Sequence, residues 1–279
     1  KMYGKETTEK ILSGIDTPPA LTLRVNTLKA TRDELLYYLT ENNIDAVPSP
    51  ESKFGIRLLR SVPVSSLDCL KKGLCIVQDD ASSLSVEVLE PRPEDTVIDV
   101  CSAPGGKSLS AAMLMENKGK ILSFDLYENK LKLINDSSER LGINIIKTEC
   151  SDSSEYKEEL QETADRIICD VPCSGLGVIA KKPDIRCRAF ERVRDNYESG
   201  LTALQYKILC SAARYLKRNG RLVYSTCTLN KHENEDIVNR FVSEHSEFKI
   251  VSVRTFFPDG TLDTHFRTDG FFYALITRT

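Results

Sequence analysis

Short apolar segments alternate with helical segments from about residue 79 to the end of the sequence, and this alternation restricts the fold most strongly. Repeated strand–helix–strand units fold into a mainly parallel sheet, with ligands beyond the carboxyl ends of its strands. We therefore predict an α/β domain over residues 79–279. Helices are predicted at 107–115 and at 128–141, where Gly142 ends the second one. The predicted strands are 96–100, 121–125, 145–148, 166–170, 221–225 and 271–277.

The first 78 residues have a different pattern, which predicts a small α+β domain. Residues 21–26 alternate as a strand does, and Thr31 can cap a helix over residues 32–41. This strand–helix–strand–strand order lacks long crossovers, which favours an antiparallel sheet with helices on one side. Further short strands are predicted at 44–47, 56–59 and 74–78.

Composition excludes several classes of protein. With 41% apolar and 28% charged residues, the sequence is typical of a soluble globular protein, and no apolar run approaches the ~20 residues of a membrane span. The net charge of −3 argues against a general nucleic-acid binder. Nine cysteines form no disulfide framework, and the three histidines lie far from any CxxC pair. We therefore expect a cytoplasmic, reduced protein without a membrane segment or a metal site.

One segment, residues 181–194, is strongly basic, in contrast to the slightly negative net charge of the whole chain. It contains six basic and two acidic side chains. Such a run is usually the solvated face of a helix. A contact with nucleic-acid phosphates is the second interpretation, because the segment directly follows one of the motifs described below.

The segment DVCSAPGGK, residues 99–107, joins a predicted strand to a predicted helix. Its small residues let the backbone approach a ligand, and the start of the helix presents amide groups to a polar or anionic group. The pattern is neither GxGxxG nor GxxxxGK[ST], which disfavours a dinucleotide-binding loop and a P-loop.

Aspartates end or follow the first three predicted strands of the α/β domain. Asp125 is placed to accept two hydrogen bonds from ribose hydroxyls, and Asp152 to contact an adenine edge. A single such aspartate is usually a loop carboxylate or a helix cap. Three of them, with Asp99, favour a site for an adenosyl ligand.

Two cysteines follow the next two predicted strands. Cys173 lies in DVPCSG, residues 170–175, and Cys227 lies in YSTCT, residues 224–228. A single cysteine at a strand end is more often a small packed residue. Two of them at the edge predicted for the ligand favour a chemical role.

In this order and spacing, DVCSAPGGK, DVPCSG and YSTCT resemble the motifs of the RNA cytosine-C5 methyltransferases. The match extends through RVN (24–26), VQD (77–79), KPDIR (182–186) and DGFFY (269–273), so it covers nearly the whole chain. The last two elements look most like the bacterial RsmB (Fmu/Sun) branch, which modifies 16S ribosomal RNA. No segment here corresponds to the N-terminal helical NusB-like domain that this branch usually carries.

The resemblance implies a Rossmann-like methyltransferase domain that depends on S-adenosylmethionine, preceded by a small α+β domain resembling an RNA-recognition module (RRM-like). The domain boundary is then expected between residues 78 and 79. The residues implied to line the cofactor pocket are Cys101, Ser102, Ala103, Pro104, Gly105, Gly106, Lys107, Asp125, Asp152 and Asp170.

The resemblance also implies the catalytic roles. Cys227 would attack carbon 6 of the cytosine, which activates carbon 5 for methyl transfer. Cys173 would assist the later release of the enzyme from the base. Asp170 would bind cytosine N3 and N4, and Lys107 would steady the base or the thiolate.

RNA is the implied partner of a protein that we expect to be a monomer. The target base must leave its stack, and the small domain would supply further RNA surface. The phosphate-binding candidates are Lys181, Lys182, Arg186 and Arg188. Four alternatives remain: a DNA methyltransferase that would use Cys173, an amino-directed methyltransferase, another RNA such as tRNA or 23S rRNA, and a catalytically silent RNA-binding scaffold.

Overall fold

The computed structural model describes residues 2–16, 20–186, 197–261 and 267–279. The chain forms two compact units, one of residues 20–152 and one of residues 1–19 with 153–279. The predicted domain boundary after residue 78 stays a prediction. Among the described residues the α-helices are α1 (Gly4–Ile15), α2 (Arg32–Glu41), α3 (Asp68–Lys71), α4 (Asp80–Leu89), α5 (Gly106–Leu114), α6 (Glu128–Leu141), α7 (Tyr197–Ala213) and α8 (Glu235–Glu244). The strands are β1 (Thr22–Val25), β2 (Ala46–Pro48), β3 (Gly55–Leu58), β4 (Cys75–Val77), β5 (Thr96–Asp99), β6 (Lys120–Asp125), β7 (Ile146–Cys150), β8 (Ala164–Asp170), β9 (Leu216–Thr226), β10 (Phe248–Phe256) and β11 (Phe271–Arg278).

The first four strands form a separate antiparallel sheet in the unit of residues 20–152. Their spatial order is β2-β3-β1-β4, and their chain order with helices is β1-α2-β2-β3-α3-β4. This combination is the ferredoxin-like topology, so the predicted small α+β domain is confirmed.

Helix α2 begins where the sequence predicts. The Thr31 side chain accepts a hydrogen bond from Glu34 N at 3.2 Å, and the Glu34 carboxylate accepts one from Thr31 N at 2.8 Å. This reciprocal capping box fixes the first turn. Leu35 and Leu39 then lie fully buried in the core between α2 and the small sheet.

Helix α4 is held to the other face of the small sheet by buried ion pairs. Arg57 Nε lies 2.5 Å from Asp80 Oδ2, and Arg24 Nη1 lies 3.2 Å from Glu87 Oε1, with both arginines almost fully buried. Burial lowers the pKa of Arg24 to about 10, so its guanidinium remains charged at neutral pH. Removing one partner of a buried pair costs about 3–5 kcal/mol, and these pairs therefore fix α4 on the sheet.

Strands β5, β6 and β7 form the parallel part of the same unit, with α5 and α6 as their crossover helices. Gly142 adopts φ +76° directly after α6, which is the left-handed conformation that ends a helix. The helix over residues 128–141 is therefore confirmed at both ends.

In the other unit, β8 and β9 run parallel, whereas β11 is antiparallel to both β9 and β10. The predicted mainly parallel arrangement is confirmed, with two antiparallel strands added. No α-helix within the described ranges combines the length and the apolar character that a membrane span needs. Over the same ranges, no cluster of three or more His, Cys, Asp or Glu side chains is arranged to hold a metal ion.

Candidate active site

The loop between β5 and α5 is fixed by short hydrogen bonds. The amide and the hydroxyl of Ser102 both donate to the carbonyl oxygen of Phe124, at 2.7 and 2.9 Å, and Gly105 N donates to Ser102 O at 2.7 Å. Gly105 has φ +107°, and a Cβ atom there would lie 3.1 Å from Ile134. Glycine is therefore required for the tight turn that leads into α5.

Asp125 ends β6 with its buried carboxylate beside this loop. Its Oδ2 accepts a hydrogen bond from Ala103 N at 3.2 Å, and its Oδ1 accepts one from Tyr127 N at 3.1 Å. A carboxylate oxygen can accept two hydrogen bonds, so both oxygens have capacity for another donor. The geometry suits a ligand with two neighbouring hydroxyl groups.

The other predicted pocket residues of this unit lie along the same edge. Ser151 N donates to Asp125 O at 3.0 Å, which places the exposed Asp152 next to the end of β6. Gln78, which the sequence reasoning did not include, donates through Nε2 to Gly106 O at 3.0 Å. The half-buried or exposed residues of the loop are Cys101, Ala103, Pro104, Gly106 and Lys107.

Asp99 differs from the other two strand-end aspartates. It is only 1% exposed, and its Oδ2 accepts a hydrogen bond from Ser108 Oγ at 2.6 Å. Ser108 Oγ also lies 2.8 Å from Ser123 Oγ, so the carboxylate joins β5 to α5 and β6. Asp99 therefore has a structural role, whereas the sequence reasoning counted it with Asp125 and Asp152 in the adenosyl site.

The two predicted catalytic cysteines lie side by side in the unit of residues 153–279. The Sγ atoms of Cys173 and Cys227 are 3.2 Å apart, and both side chains are half-buried. Asp170 and Ser225 are register partners on the parallel strands β8 and β9, so the loops that follow begin at the same level. Ser225 Oγ also donates to Asp170 Oδ1 at 2.6 Å and thereby orients the carboxylate.

Cys173 holds its proton more tightly than an ordinary thiol. Its pKa is raised well above the usual value by the hydrogen bond to Cys227, by burial and by the charge of the nearby Glu233. Either sulfur can be the donor in the contact between the two thiols. The raised pKa disfavours the thiolate of Cys173.

A buried carboxylate, Glu233, holds the segments that carry the two thiols, and the sequence reasoning missed it. It is 1% exposed and accepts hydrogen bonds from Ser174 N at 2.8 Å, Gln205 Nε2 at 2.9 Å and Asn230 Nδ2 at 3.1 Å. Its donors come from three separate chain segments. The acidic and amide-rich sequence of residues 230–236 is the signal that could have indicated it.

The predicted phosphate-binding residues are partly engaged elsewhere. Lys181 Nζ lies 2.7 Å from the buried Asp269, and Arg186 Nη2 lies 2.5 Å from the exposed Asp16. Lys182 is exposed. Arg188, like the rest of the basic segment from residue 187 to 194, lies outside the described residues.

Comparisons with known proteins give the family of the chain. The family model for the 16S rRNA methyltransferase RsmB/F matches residues 86–277, and that for the RsmF/B-like ferredoxin-like domain matches residues 1–65. The chain is 38% identical over 283 residues to a probable ribosomal RNA small subunit methyltransferase B from Bacillus subtilis, covering 97% of this chain and 62% of the relative.

Solved structures share the fold. A methyltransferase homolog protein from Pyrococcus horikoshii is 27% identical, with a TM-score of 0.85 over 98% of this chain and 91% of that one. NSun6 from the same organism, solved with SFG, has a TM-score of 0.83 at 23% identity over 99% of this chain and 95% of that one. Fold and comparisons together define a Rossmann-like methyltransferase with a small ferredoxin-like domain.

More specifically, the chain belongs to the RsmB/F family of 16S rRNA methyltransferases. The resemblance stated from the motifs is thereby confirmed. The chain spans about 62% of the length of the curated relatives it matches.

Proposed function

We propose that this chain methylates carbon 5 of a cytosine in RNA, with S-adenosylmethionine as methyl donor and 16S ribosomal RNA as substrate. The observation that carries the proposal is the 3.2 Å contact between Cys173 Sγ and Cys227 Sγ. Methylation at carbon 5 needs one group that attacks carbon 6 and another that manages a proton, and two adjacent thiols can divide these tasks. Membership of the RsmB/F family supports the choice of RNA. A monomeric, cytoplasmic protein is part of the same proposal.

The loop of residues 101–107 and Asp125 fit the adenosyl part of the cofactor. Asp125 is held by two backbone amides and retains acceptor capacity on both oxygens, which suits the two ribose hydroxyls. Asp152 would contact the adenine edge, and Asp170 would line the pocket. When bound, S-adenosylmethionine supplies an electrophilic methyl group.

Cys227 performs the first covalent step. Its Sγ forms a bond to carbon 6 of the cytosine, and the displaced electron pair makes carbon 5 nucleophilic enough to take the methyl group. Asp170, oriented by Ser225, holds the N3 and N4 side of the base in the ring form that accepts the sulfur. Lys107 steadies the base or the thiolate.

Cys173 acts at the end of the reaction. Once Cys227 Sγ is bonded to carbon, it no longer carries the negative charge that helps to raise the pKa of Cys173. Cys173 can then lose its own proton to solvent water, and the resulting thiolate takes the proton from carbon 5. The electrons of that C–H bond restore the ring double bond, the bond from carbon 6 to sulfur breaks, and Cys227 leaves as a thiolate.

The alternatives are less consistent with the thiols. A DNA-type mechanism would need Cys173 as the nucleophile, and its raised pKa disfavours the thiolate. A silent scaffold would not need two sulfurs in contact.

Lys182 and Arg186 remain proposed contacts for RNA phosphates. Arg186 would exchange its ion pair with Asp16 for a phosphate, and Lys181 would have to leave its ion pair with Asp269 to do the same.

Methylation of a 16S rRNA transcript with labelled methyl donor tests the proposal. We expect the label in 5-methylcytidine after digestion to nucleosides, and no label with Cys227→Ala. Label in N4-methylcytidine would contradict the carbon 5 chemistry. Label in tRNA or 23S rRNA but not in 16S rRNA would contradict the substrate.

A further inference from the structure

The small ferredoxin-like sheet does not offer RNA the surface that an RNA-recognition module offers. Such modules stack bases on aromatic side chains that project from the open face of their central strands. Here one face of β1 and β3 packs on α2 through residues such as Leu23 and Ile56, and the other presents Arg24 and Arg57 to α4. Because α4 covers that face, base stacking on the open face of the sheet is not available, and the expected RNA surface of the small domain stays a prediction.

A cavity of about 310 Å³ at the edge of the same small domain is lined by residues whose chemistry suits a nucleotide. It opens between the end of β1, the start of α2 and the residues before β3. Pockets for small molecules have volumes of roughly 300–1,000 Å³, so this one has room for a single nucleotide and not for a double helix. The lining residues used below are Thr27, Thr31, Arg32, Asp33, Lys53 and Phe54.

Phe54 gives this cavity a fixed aromatic surface. Its carbonyl oxygen accepts a hydrogen bond from Val25 N at 2.9 Å, and its half-buried ring packs against the core. The buried Arg24 and the exposed Lys53 each lie over the ring, 4.9 Å from its centroid, so a base would stack in the place of the Lys53 ammonium. A ring held in this way can stack on a base without first being ordered.

Two cations of the lining, Arg32 and Lys53, are available for phosphate, and the Lys53 side chain would move off the ring to bind it. Within the described part of the chain, neither Lys53 nor Arg32 forms a salt bridge, in contrast to Lys181 and Arg186. Asp33 is the acid of the lining and can accept a hydrogen bond from an exocyclic amino group of a base. The Thr27 hydroxyl donates to Met113 O at 3.2 Å and keeps an acceptor site.

We propose that this cavity binds one unpaired nucleotide of the RNA substrate, with its base on Phe54 and its phosphate at Lys53 and Arg32. The proposal rests on the proposed function, because it takes RNA as the substrate. It adds a nucleotide site that is built entirely from residues of the small domain.

The test is the binding of a single-stranded RNA oligonucleotide to the chain, followed by fluorescence anisotropy. Loss of one base–aromatic stack corresponds to roughly a five- to hundred-fold loss of affinity, which we expect for Phe54→Leu. Phe54→Tyr retains the stack and should bind as the parent does. Tyr37→Leu removes an exposed aromatic ring of the same domain and is the matched control, with no change expected.

Lys53→Gln gives a second, independent readout. Loss of one phosphate contact should reduce the log–log salt slope by about 0.7, whereas Lys71→Gln, an exposed lysine of the same domain, should leave it unchanged. This variant also tests the site if Phe54→Leu fails to fold.

The outcomes separate the two proposals. If the parent neither binds nor methylates RNA, the proposed function fails. If the parent does both, while Phe54→Leu and Lys53→Gln bind with unchanged affinity and slope, the nucleotide site is wrong. Free cytidine monophosphate should compete only weakly, and tight binding of it without effect on RNA would also overturn the inference.

Discussion

Replacing Glu233 tests whether this carboxylate holds the segments that carry the two thiols. Glu233→Ala removes the acceptor of three donors, on the half-buried Ser174 and on the buried Gln205 and Asn230. Each unsatisfied buried donor costs about 1–3 kcal/mol, so we expect the free energy of unfolding to fall by about 3–9 kcal/mol. That is a large part of the roughly 5–15 kcal/mol by which a folded protein is stable.

Glu233→Gln should be milder because it keeps one acceptor oxygen. Hydrogen bonds to a charged group contribute about 1.5–3 kcal/mol and neutral ones about 1 kcal/mol, so we expect a loss of about 1–3 kcal/mol. Urea unfolding followed by circular dichroism measures both values at an unchanged m-value. Glu9→Gln, in an exposed pair with Lys5, is the control and should change stability by less than about 0.5 kcal/mol. A loss below about 1 kcal/mol for Glu233→Ala would refute the reasoning.

Three further predictions concern the cofactor, the basic segment and pH. Asp125→Ala should weaken the binding of S-adenosylhomocysteine about ten- to a hundred-fold in calorimetry, because charge-assisted hydrogen bonds are lost. Asp136→Ala, at an exposed aspartate, is the control and should bind as the parent does. Equal affinities of the parent and Asp125→Ala would exclude the ribose role. Replacement of Lys181, Lys182 and Arg186 by Glu should weaken RNA binding. It should also lower the slope of log affinity against log salt concentration by somewhat under one unit for each lost phosphate contact. An unchanged slope would indicate that the segment is a solvated face. Because the pKa of Cys173 is raised on folding, its stabilising effect is complete below about pH 8.5, the pKa of an unfolded thiol, and is lost as the pH rises above it. Above about pH 8.5 the free energy of unfolding should therefore fall more steeply with pH for the parent than for Cys173→Ala. The two slopes should differ by up to about 1.4 kcal/mol per pH unit. Parallel curves of unfolding free energy against pH would contradict the raised pKa.

Elements with a local start or stop signal could be predicted almost to the residue. The capping box of Thr31 and Glu34 defines α2, and the left-handed Gly142 defines the end of α6. Helix α1 has no side-chain cap at Tyr3, and the sequence reasoning missed it. It also missed β10, an edge strand on which Val251 and Val253 are exposed, because its pattern does not resemble a buried strand.

In the candidate site, too, the features with a local sequence signal could be predicted and the long-range contacts could not. Cys173 and Cys227 could be placed at one edge, because each follows a recognisable parallel strand. Their direct contact and the Glu233 carboxylate could not, since the partners of Glu233 lie 28 and 59 residues away, at Gln205 and Ser174. The pairing of Lys181 with an aspartate 88 residues further on was hidden for the same reason.

Trapping of a covalent protein–RNA adduct tests the central claim most directly, namely that Cys227 attacks the base and Cys173 releases it. Cys173→Ala should accumulate an adduct that survives denaturing electrophoresis and requires S-adenosylmethionine. Cys227→Ala should form none, and neither should the double variant, which is the matched control. Adduct formation by Cys227→Ala, with Cys173→Ala inert and unlinked, would contradict the account and assign the attack to Cys173.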